Sequence, residues 1–391
     1  MHILIIPSEH FLTGAAPFAG IFQYHHAKLL KEKGHQVGVI SAGLVPFNYL
    51  LKSYEYPSKE LLEGIPIYRK YFRAFIPGRF AIKLFPKAIV KEYLVLFKKY
   101  ISKHGIPDVI HAHNSLFAGA AAMKIKVSYS LPFVITEHSS LYERGYVTSN
   151  QLTLTRRVMR SADARTVVSN KLGARLCEII GDSVMPCTTI FNVLEESFIL
   201  HELPSTNKGE TYTFLSIGSL DENKNHASLI RAFASNFKGD KSKFLRIGGA
   251  GPCHDSLSEL ISELDLADQT ELCGKLEREE VLQELVLCDA FVLPSKIETF
   301  GVVLIEALAL GKPIISTFSG GPEDIVNELN GFIIPPSNDK LLAEAMLKMY
   351  ENQSLYRERA IQIKEDCLSR FGRDVFYNRL NQVYKNIIVK N

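Results

Sequence analysis

The sequence is poor in cysteine, and no two of its cysteines have the C-x-x-C spacing. The six are scattered, which argues against a zinc site or a disulfide framework and favours a cytosolic protein with free thiols. No apolar run reaches the ~18 residues of a membrane-spanning helix. The start lacks the basic leader that is typical of a signal peptide, so no signal peptide is expected. The net charge of +3 is too small for a general nucleic-acid binder, so nucleic acid is not an expected partner.

What is present is the composition of a folded globular protein. Hydrophobic residues make up 46% of the chain and charged residues 22%, which excludes disordered and fibrous classes. At ~100–200 residues per domain, the 391 residues predict two or three domains.

Short apolar runs alternate with longer helical patterns from end to end. A polar stretch at 195–209 interrupts the alternation and is typical of a linker. The predicted strands are 2–6, 36–40, 108–111, 133–136, 165–168, 212–217, 243–247, 270–272, 290–293 and 313–316. Helices are predicted at 341–351, 355–371 and 374–390. Strands that are apolar on both faces indicate parallel sheets covered by helices, so we predict two doubly wound α/β units, with ligands outside the carboxyl ends of the strands.

The densest cluster of chemistry-bearing residues lies at 294–313. Glu298 stands just before Gly301, which opens a helix whose free N–H groups favour an anion. Glu306 interrupts an otherwise apolar helix, and a carboxylate there is costly unless it meets hydroxyls or a cation. Taken alone, the pair is also compatible with a helix-dipole partner and a buried salt bridge.

Two loops upstream carry further signals. Lys224 stands on the turn into a helix, where a cation beside free N–H groups suits a diphosphate, although an exposed turn lysine is the commoner case. The glycine-rich turn 248–251 follows the next strand. His254 stands where the G-x-G-x-x-G fingerprint needs its third glycine, so a dehydrogenase is disfavoured.

Together these motifs resemble the retaining glycosyltransferases of family 4, which have the GT-B fold of two Rossmann-like domains facing across a cleft. The resemblance extends over nearly the whole chain and implies an acceptor-binding domain at 1–200 and a donor-binding domain at 207–371. It also implies that a last helix, 374–391, packs back on the first domain. The motifs that carry it are the glycine loop 14–20, 34–37, 111–113, 136–139, Asn192, 218–224, 248–252, Gly274, 294–295, the E-x7-E pair Glu298 and Glu306, 306–313 and 320–323.

The resemblance assigns roles to individual residues. Glu306 is expected to hold the ribose hydroxyls of a nucleotide-sugar, Glu298 to contact the donor sugar near its transferred carbon, and Lys224 to grip the diphosphate. His138 is expected to point into the cleft near that sugar, with a histidine satisfied at a strand end as the alternative. The predicted catalytic residues are therefore Glu298, His138 and Lys224. The predicted donor-binding residues are Gly20, Ser219, Gly251, Lys275, Leu276, Thr299, Phe300, Gly301, Val302 and Glu306. For His111 and His113 a structural role is the leading interpretation.

One position departs from the family pattern. In the family, an arginine usually follows the glycine that begins the turn carrying Lys224. Here that turn is 218–224, called the lysine turn below, and Ser219 follows Gly218. Serine cannot replace the charged fork of an arginine on a diphosphate, and the loss of one charge-assisted hydrogen bond costs ~10–150-fold in binding or rate. Lys224, Lys275 or Lys296 could supply a compensating cation.

The chemistry implied is cleavage of a glycosyl–phosphate bond, which leaves charge on a diphosphate. No D-x-D appears in the chain, so no metal and no cofactor are expected, and Lys224 with backbone N–H groups would neutralise the leaving group. The predicted function is a retaining glycosyltransferase of hexosyltransferase type that moves a sugar from a nucleotide-diphosphate sugar to a carbohydrate or lipid-linked acceptor, in polysaccharide or glycan biosynthesis. Two alternatives stay open: a catalytically weak, glycosyltransferase-like binding subunit, and a GT-B nucleotide-sugar epimerase.

A basic segment at 68–104 is a second signal. It holds ten lysines and arginines against one acid, Glu92. After Pro86 a helix is predicted with an apolar stripe and, opposite it, the lysines Lys87, Lys91 and Lys98. One interpretation is a core-facing helix with a solvated face. The other, which the aromatics Tyr71, Phe72, Phe75 and Phe80 favour, is peripheral docking of a cytoplasmic enzyme to the anionic inner face of the cell membrane, where lipid-linked sugars would be acceptors.

Overall fold

The chain folds into two compact units. The computed structural model describes residues 1–7, 11–12, 19–45, 58–73, 86–181, 187–203 and 211–389. The first unit comprises Met1–Val168, Leu172–Val193 and Phe376–Asn391, and the second comprises Ser169–Lys171 and Leu194–Val375. Within the described ranges, no helix has both the length and the apolar character needed to cross a bilayer.

The first unit is built on an eight-stranded sheet in the order β3-β4-β2-β1-β5-β6-β7-β8, in which β3 alone pairs antiparallel. Its strands are β1 (His2–Ile6), β2 (Gln36–Val45), β3 (Lys59–Leu62), β4 (Ile65–Arg73), β5 (Val109–His113), β6 (Phe133–Glu137), β7 (Ala164–Val167) and β8 (Thr188–Thr189). Its helices are α1 (Ile21–Glu32), α2 (Pro86–His104), α3 (Ala120–Tyr129), α4 (Ser149–Ser161) and α5 (Asn170–Ile180), with a π-helical turn at Ser115–Gly119. Every residue of β1, β5 and β6 is buried, as expected for central parallel strands covered on both faces.

The second unit has a six-stranded, all-parallel sheet in the order β11-β10-β9-β12-β13-β14. Its strands are β9 (Tyr212–Ile217), β10 (Lys243–Gly248), β11 (Thr270–Gly274), β12 (Ala290–Leu293), β13 (Ile314–Thr317) and β14 (Gly331–Ile334). Its helices are α6 (Glu196–Leu200), α7 (His226–Phe237), α8 (His254–Glu263), α9 (Arg278–Leu287), α10 (Val302–Ala309), α11 (Asp339–Glu351), α12 (Gln353–Glu358) and α13 (Ala360–Phe371). The last helix, α14 (Arg373–Ile388), belongs to the first unit from Phe376 onward. The strand order is that of Rossmann-type folds, and its topological switch point lies between β9 and β12.

The structure corrects two sequence-based expectations. The helix predicted at 355–371 is two helices, because the chain turns at Arg359 (φ −83°, ψ −2°) between α12 and α13. The start of the basic segment is strand β4 rather than free basic surface. Arg69 is 1% exposed there and pairs with Glu60 at 2.5 Å, and Tyr71 is also buried.

Helix α2 has the two faces that its pattern predicts. Ile89, Tyr93, Leu96 and Tyr100 are buried on one side, and Lys87, Lys91, Lys98, Lys99 and Lys103 are exposed on the other. Of the other residues in the membrane hypothesis, Phe75, Arg79, Phe80 and Lys83 lie outside the described residues. The exposed lysine stripe of α2 is therefore what that hypothesis rests on.

Helix α14 is tied to the first sheet by a buried histidine. His111, on β5, is 1% exposed, and its two ring nitrogens each lie 2.6 Å from a hydroxyl, Nδ1 from Tyr384 of α14 and Nε2 from Thr136 of β6. His113 stacks on it with ring centroids 4.5 Å apart, and His26 meets both rings edge-on. His111 is structural, in line with the leading sequence interpretation.

His138 stacks on His113 in turn, with ring centroids 5.1 Å apart, and this cluster of four histidines is neutral because it is buried. Burial lowers the pKa of His26 to about 3 and that of His138 to about 4, and it holds the pKa values of His111 and His113 well below the usual range. Neutral imidazoles need no counter-ion, so they can stack beside one another in the interior.

The same histidines could be mistaken for a metal centre. Ring nitrogens of His26, His111 and His113 lie within 4.8 Å of one another, beside a cavity of about 20 Å³. Both nitrogens of His111 already bond to hydroxyls, and its ring is stacked nearly parallel (11°) on that of His113. In-plane lone pairs of parallel, stacked rings do not converge on one ion, so this arrangement favours a hydrogen-bonded cluster.

The neutral cluster predicts acid sensitivity of the first unit. Its imidazoles bind protons in the unfolded chain below pH ~6.5 but not in the folded unit until their depressed pKa values are reached. Stability is thus fully present above pH ~6.5 and falls as pH is lowered, by up to ~1.4 kcal/mol per pH unit for each histidine. Hydrogen exchange of β5 and β6 amides at about pH 8, 6 and 5 measures this.

The variant His111→Gln isolates one histidine, because an amide keeps hydrogen-bonding capacity without titrating. It should reduce the pH slope by about one proton. The same change at His254, which is half-exposed, is the matched control. An unaltered slope in His111→Gln would contradict the account.

Candidate functional site

An ion pair joins two loops at the switch point of the second sheet. Lys224 follows β9, Glu298 follows β12, and Lys224 Nζ lies 2.5 Å from Glu298 Oε2. Asn223 binds the loops together, since its side chain donates to the Ile297 carbonyl (2.9 Å) and its own carbonyl accepts from Lys296 N (2.7 Å). Two of the three predicted catalytic side chains are therefore in direct contact.

The N-terminus of α10 lies next to this pair. Gly301 precedes the helix with φ +90°, a conformation that favours glycine, and an added Cβ would approach Glu298 Cγ to 3.4 Å. Phe300 is 1% exposed and stacks edge-on with Phe371 of α13, so its side chain anchors the loop. Backbone N–H groups of the first turn, at Val302 and beyond, give this end a partial positive charge.

Glu306 points into the unit rather than to bulk solvent. It is 2% exposed, and it accepts a hydrogen bond from Arg278, at the start of α9. Arg278 also donates to Glu195, 2.6 Å away. Burial raises the pKa of Glu306, and the adjacent Arg278 guanidinium opposes that rise. The cation that a buried glutamate requires is therefore Arg278.

Glycines let three loops interlock at the same edge of the sheet. Gly218 N donates to Gly248 O (2.9 Å), and Gly249 N donates to Gly274 O (2.7 Å). A Cβ on Gly251 would lie 2.4 Å from the Leu220 carbonyl oxygen, and one on Gly248 would lie 2.4 Å from Leu276 Cδ1. Packing thus explains these glycines. Leu276 is half-buried against this edge, while Lys275 is exposed and pairs with Glu277.

Ser219 takes part in the lysine turn itself. Its hydroxyl donates to Asp221 Oδ2 at 2.9 Å, and Asp221 Oδ1 accepts from the backbone N–H groups of Asn223 and Lys224, both at 3.0 Å. The serine therefore supports the turn that presents Lys224. Lys296 lies 3.6 Å from Glu222.

In the first unit, His138 lies at the carboxyl end of β6. Its Nε2 is 2.9 Å from His113 Nδ1, and the Asn192 side chain hydrogen-bonds its ring. The buried Glu137 carboxylate accepts from the backbone of Ser115 and His138 and so fixes this turn. A neutral His138 can exchange hydrogen bonds with a hydroxyl, but it carries no charge to offer a phosphate.

Gly20 caps α1 with φ +78°, and a Cβ there would lie 2.7 Å from Phe11 Cδ2. Most of the glycine loop before it, 13–18, lies outside the described residues.

The structure brings together, within the second unit, Lys224, Glu298 and the turn 299–302, with the lysine turn and glycine loop interlocked beside them. Sequence reasoning missed four supporting residues of that unit: Glu195, Asp221, Asn223 and Arg278. Asp221 and Asn223 lie inside the motif 218–224. Asp and Asn side chains in a turn commonly bond to the nearby backbone, so their supporting role could have been predicted. Glu195 and Arg278 are far from Glu306 in sequence, and no local pattern pointed to them.

Two family models match the chain. The model described as "Glycosyltransferase Family 4" matches residues 19–194, and the one described as "Glycosyl transferases group 1" matches residues 202–366. Together they account for both units, and both describe glycosyltransferases. This favours a transferase over the epimerase and the binding subunit.

Individual proteins agree with the models. A putative teichuronic acid biosynthesis glycosyltransferase of Bacillus subtilis, TuaC, is 27% identical, with 99% of each chain covered. Among solved structures, a sucrose-phosphate synthase of Thermosynechococcus elongatus superposes with a TM-score of 0.80 at 18% identity, over 100% of both chains. Anabaena HepE, solved in complex with UDP, gives 0.74 at 18% identity, over 99% of this chain and 100% of its own. The predicted family and fold are confirmed: the chain belongs to the GT-B glycosyltransferases of the group 1 and family 4 type, enzymes of glycan biosynthesis.

Proposed function

We propose that the protein is a retaining, metal-independent glycosyltransferase of hexosyltransferase type that takes its sugar from a nucleoside diphosphate. The observation that carries this proposal is the Lys224–Glu298 pair beside the N-terminus of α10. A cation beside the N-terminus of a helix, where the first backbone N–H groups and the helix dipole favour an anion, suits a diphosphate, and an adjacent carboxylate suits a sugar hydroxyl.

The donor site lies in the second unit. Lys224 would exchange its contact with Glu298 for the diphosphate, and Glu298 would then accept from the sugar near its transferred carbon. Glu306 would accept the ribose hydroxyls, with Leu276 and Lys275 bordering the base. The UDP bound to HepE is a precedent for a diphosphate donor in this fold.

Charge on the leaving diphosphate would be neutralised by Lys224 and the α10 N–H groups rather than by a metal. Preorganised donors of this kind stabilise developing charge without reorganisation. Retention would follow the family pattern of reaction on a single face of the sugar, in which the leaving phosphate helps to deprotonate the acceptor. The role of His138 toward the sugar remains a prediction; it would have to exchange a bond to His113 or Asn192 for one to a hydroxyl.

The acceptor would be a carbohydrate or a lipid-linked saccharide, bound by the first unit. The lysine stripe of α2 suits an anionic surface, and its lysines at 87, 91 and 98 are exposed. We place the enzyme in the cytoplasm, docked peripherally on the membrane through that stripe, where a lipid-linked acceptor would be presented.

The two glutamates should have separable effects. Glu306→Ala should weaken binding of the nucleoside diphosphate ~10–150-fold, because it removes charge-assisted hydrogen bonds to ribose. Glu298→Ala should mainly lower kcat while the donor stays bound. Calorimetric Kd values and initial rates measure the two.

Glu284→Ala is a matched control for these variants. Glu284 is as exposed as Glu298 (14%) and pairs with an arginine, Arg246, in the same unit. It should leave binding and kcat within about two-fold, as expected of a substitution away from the site. Small, equal effects of Glu298→Ala and Glu306→Ala would sink the assignment.

A thermal-shift screen against UDP, GDP, ADP and their sugars tests the donor and the absence of a metal together. At ~100 times Kd, one diphosphate should stabilise the protein by ~2.7 kcal/mol, a shift of about 5 °C or more. The shift should be the same in EDTA and in Mg²⁺. Loss of the shift in EDTA would overturn metal independence, and no shift at millimolar concentrations would mean that Ser219 has cost the site its donor.

Vesicle flotation tests the membrane proposal. The protein should bind phosphatidylglycerol vesicles and not phosphatidylcholine ones, and less at high salt. Lys87, Lys91 and Lys98 changed together to Glu should lower binding at least ~100-fold, since each basic residue contributes ~1 kcal/mol. Reversing exposed lysines of the second unit, Lys238, Lys241 and Lys340, changes the net charge equally and should affect binding much less. Equal losses in the two triple variants would argue against docking through α2.

A further inference from the structure

Arg278 bridges two carboxylates beneath the proposed ribose site. Its Nε donates to Glu195 Oε2 at 2.6 Å, and its Nη2 donates to Glu306 Oε1. The guanidinium also lies over the Phe198 ring, 4.7 Å from its centroid. Bonds on two sides and a ring on its face hold Arg278 in one orientation.

An ionised Glu306 is unfavourable at its buried position unless a cation lies beside it. It is fully buried in an apolar helix, and its burial favours the protonated form, which Arg278 opposes. Protonation would matter for binding because a carboxylate only accepts, whereas a carboxylic acid has one oxygen committed as a donor. The neighbouring hydroxyls of a ribose donate two hydrogen bonds, and the ionised form can accept both.

The bond from Arg278 leaves acceptor capacity for them. A carboxylate has about four lone-pair positions, and Arg278 takes one of them on Oε1. In the proposed site, ribose hydroxyls would therefore bond to Glu306 without breaking the ion pair.

We propose that Arg278, held by Glu195, is a positioning residue that keeps Glu306 ionised and aimed for the vicinal hydroxyls of the donor ribose. This inference rests on the proposed donor site and adds two residues that it did not contain. It predicts that preference for a ribonucleotide over its 2′-deoxy form depends on a residue that does not touch the nucleotide.

Within the part of the chain that the structure describes, Arg278 and Glu195 are the charged groups that act on Glu306. Helix α10 packs against α13, α6, β12 and β13, of which the two strands carry no ionisable side chain. The ionisable groups on the two helices have partners of their own or are exposed. Cys367 bonds to the Ile305 carbonyl of α10, Lys364 bonds to the His201 carbonyl, Glu196 pairs with Arg373, Asp366 pairs with Arg370, and Glu365 is exposed. A pH dependence of the ribose preference that appears when Arg278 is removed can thus be assigned to the two carboxylates that lose their partner, Glu306 and Glu195.

The test compares a nucleoside diphosphate with its 2′-deoxy form by calorimetry between about pH 6 and about pH 9, using whichever of UDP, GDP or ADP stabilises the protein. Wild type should prefer the ribonucleotide at least ~10-fold, with little pH dependence. In Arg278→Met the preference should fall below about three-fold at pH ~7, and affinity for the ribonucleotide should recover as pH rises and Glu306 ionises. Arg278→Lys should keep most of the preference.

Arg246→Met is the matched control, because Arg246 also bridges two glutamates, Glu271 and Glu284, in the same unit. It should keep the full preference. Glu195→Gln leaves Arg278 in place and should lower the preference about three-fold, which keeps the test informative if Arg278→Met does not fold.

The outcomes distinguish a failure of this inference from a failure of the proposed donor site. Full preference and a flat pH profile in both Arg278→Met and Glu195→Gln would mean that the bridge is structural only, and would overturn this inference while leaving the donor site intact. If wild type shows no preference, or if Glu306→Ala keeps it, then Glu306 does not hold the ribose, and both this inference and that part of the proposed function fail.

Discussion

The candidate site depends on one ion pair at the point where two parallel strands part. Lys224 and Glu298 follow β9 and β12, neighbours in the sheet whose connections leave in different directions. Neither charge would be stable there alone, since a half-buried ion without a partner is costly. In the absence of donor each is the counter-ion of the other. In the proposed donor site the pair would be exchangeable, because a diphosphate would replace Glu298 as the partner of Lys224 and leave the carboxylate free for a sugar.

Two clusters, the stacked histidines of the first unit and the carboxylates at the candidate site of the second, hold their buried polar groups in different ways. In the first, burial lowers the pKa values of His26, His111, His113 and His138, so the histidines become neutral and stack without counter-ions. In the second, glutamates are paired with cations, as Glu306 is with Arg278. This contrast fits the work proposed for each: neutral groups suit hydroxyl-bearing acceptors and sugars, and compensated charges suit a diphosphate.

The sequence was sufficient to predict the features that depend on hydrophobic periodicity or on a local motif. Buried parallel strands such as β1 and β12 are short, mainly apolar runs, and the E-x7-E pair places Glu298 before Gly301 and Glu306 within α10. Partners distant in sequence were out of reach. Arg278 resembles any first-turn residue of an exposed helix, and only the folded unit shows it beside Glu306. Strand β4 was missed because it carries Arg69, whose burial depends on Glu60 in the neighbouring strand.

At Ser219, a local hydrogen bond stands where the family pattern has a charged side chain. An arginine at this position would add a charge for the diphosphate, whereas Ser219 instead bonds to Asp221, which accepts from Lys224 N and so fixes the turn. Where the family pattern has a cation, this chain has a hydroxyl that supports the turn presenting the lysine. Lys275 and Lys296 pair with Glu277 and Glu222, so the proposed mechanism relies more on Lys224 and the N–H groups of α10 to stabilise the leaving group. Those backbone donors would be in place before the reaction, so part of the electrostatic stabilisation would not depend on the missing arginine.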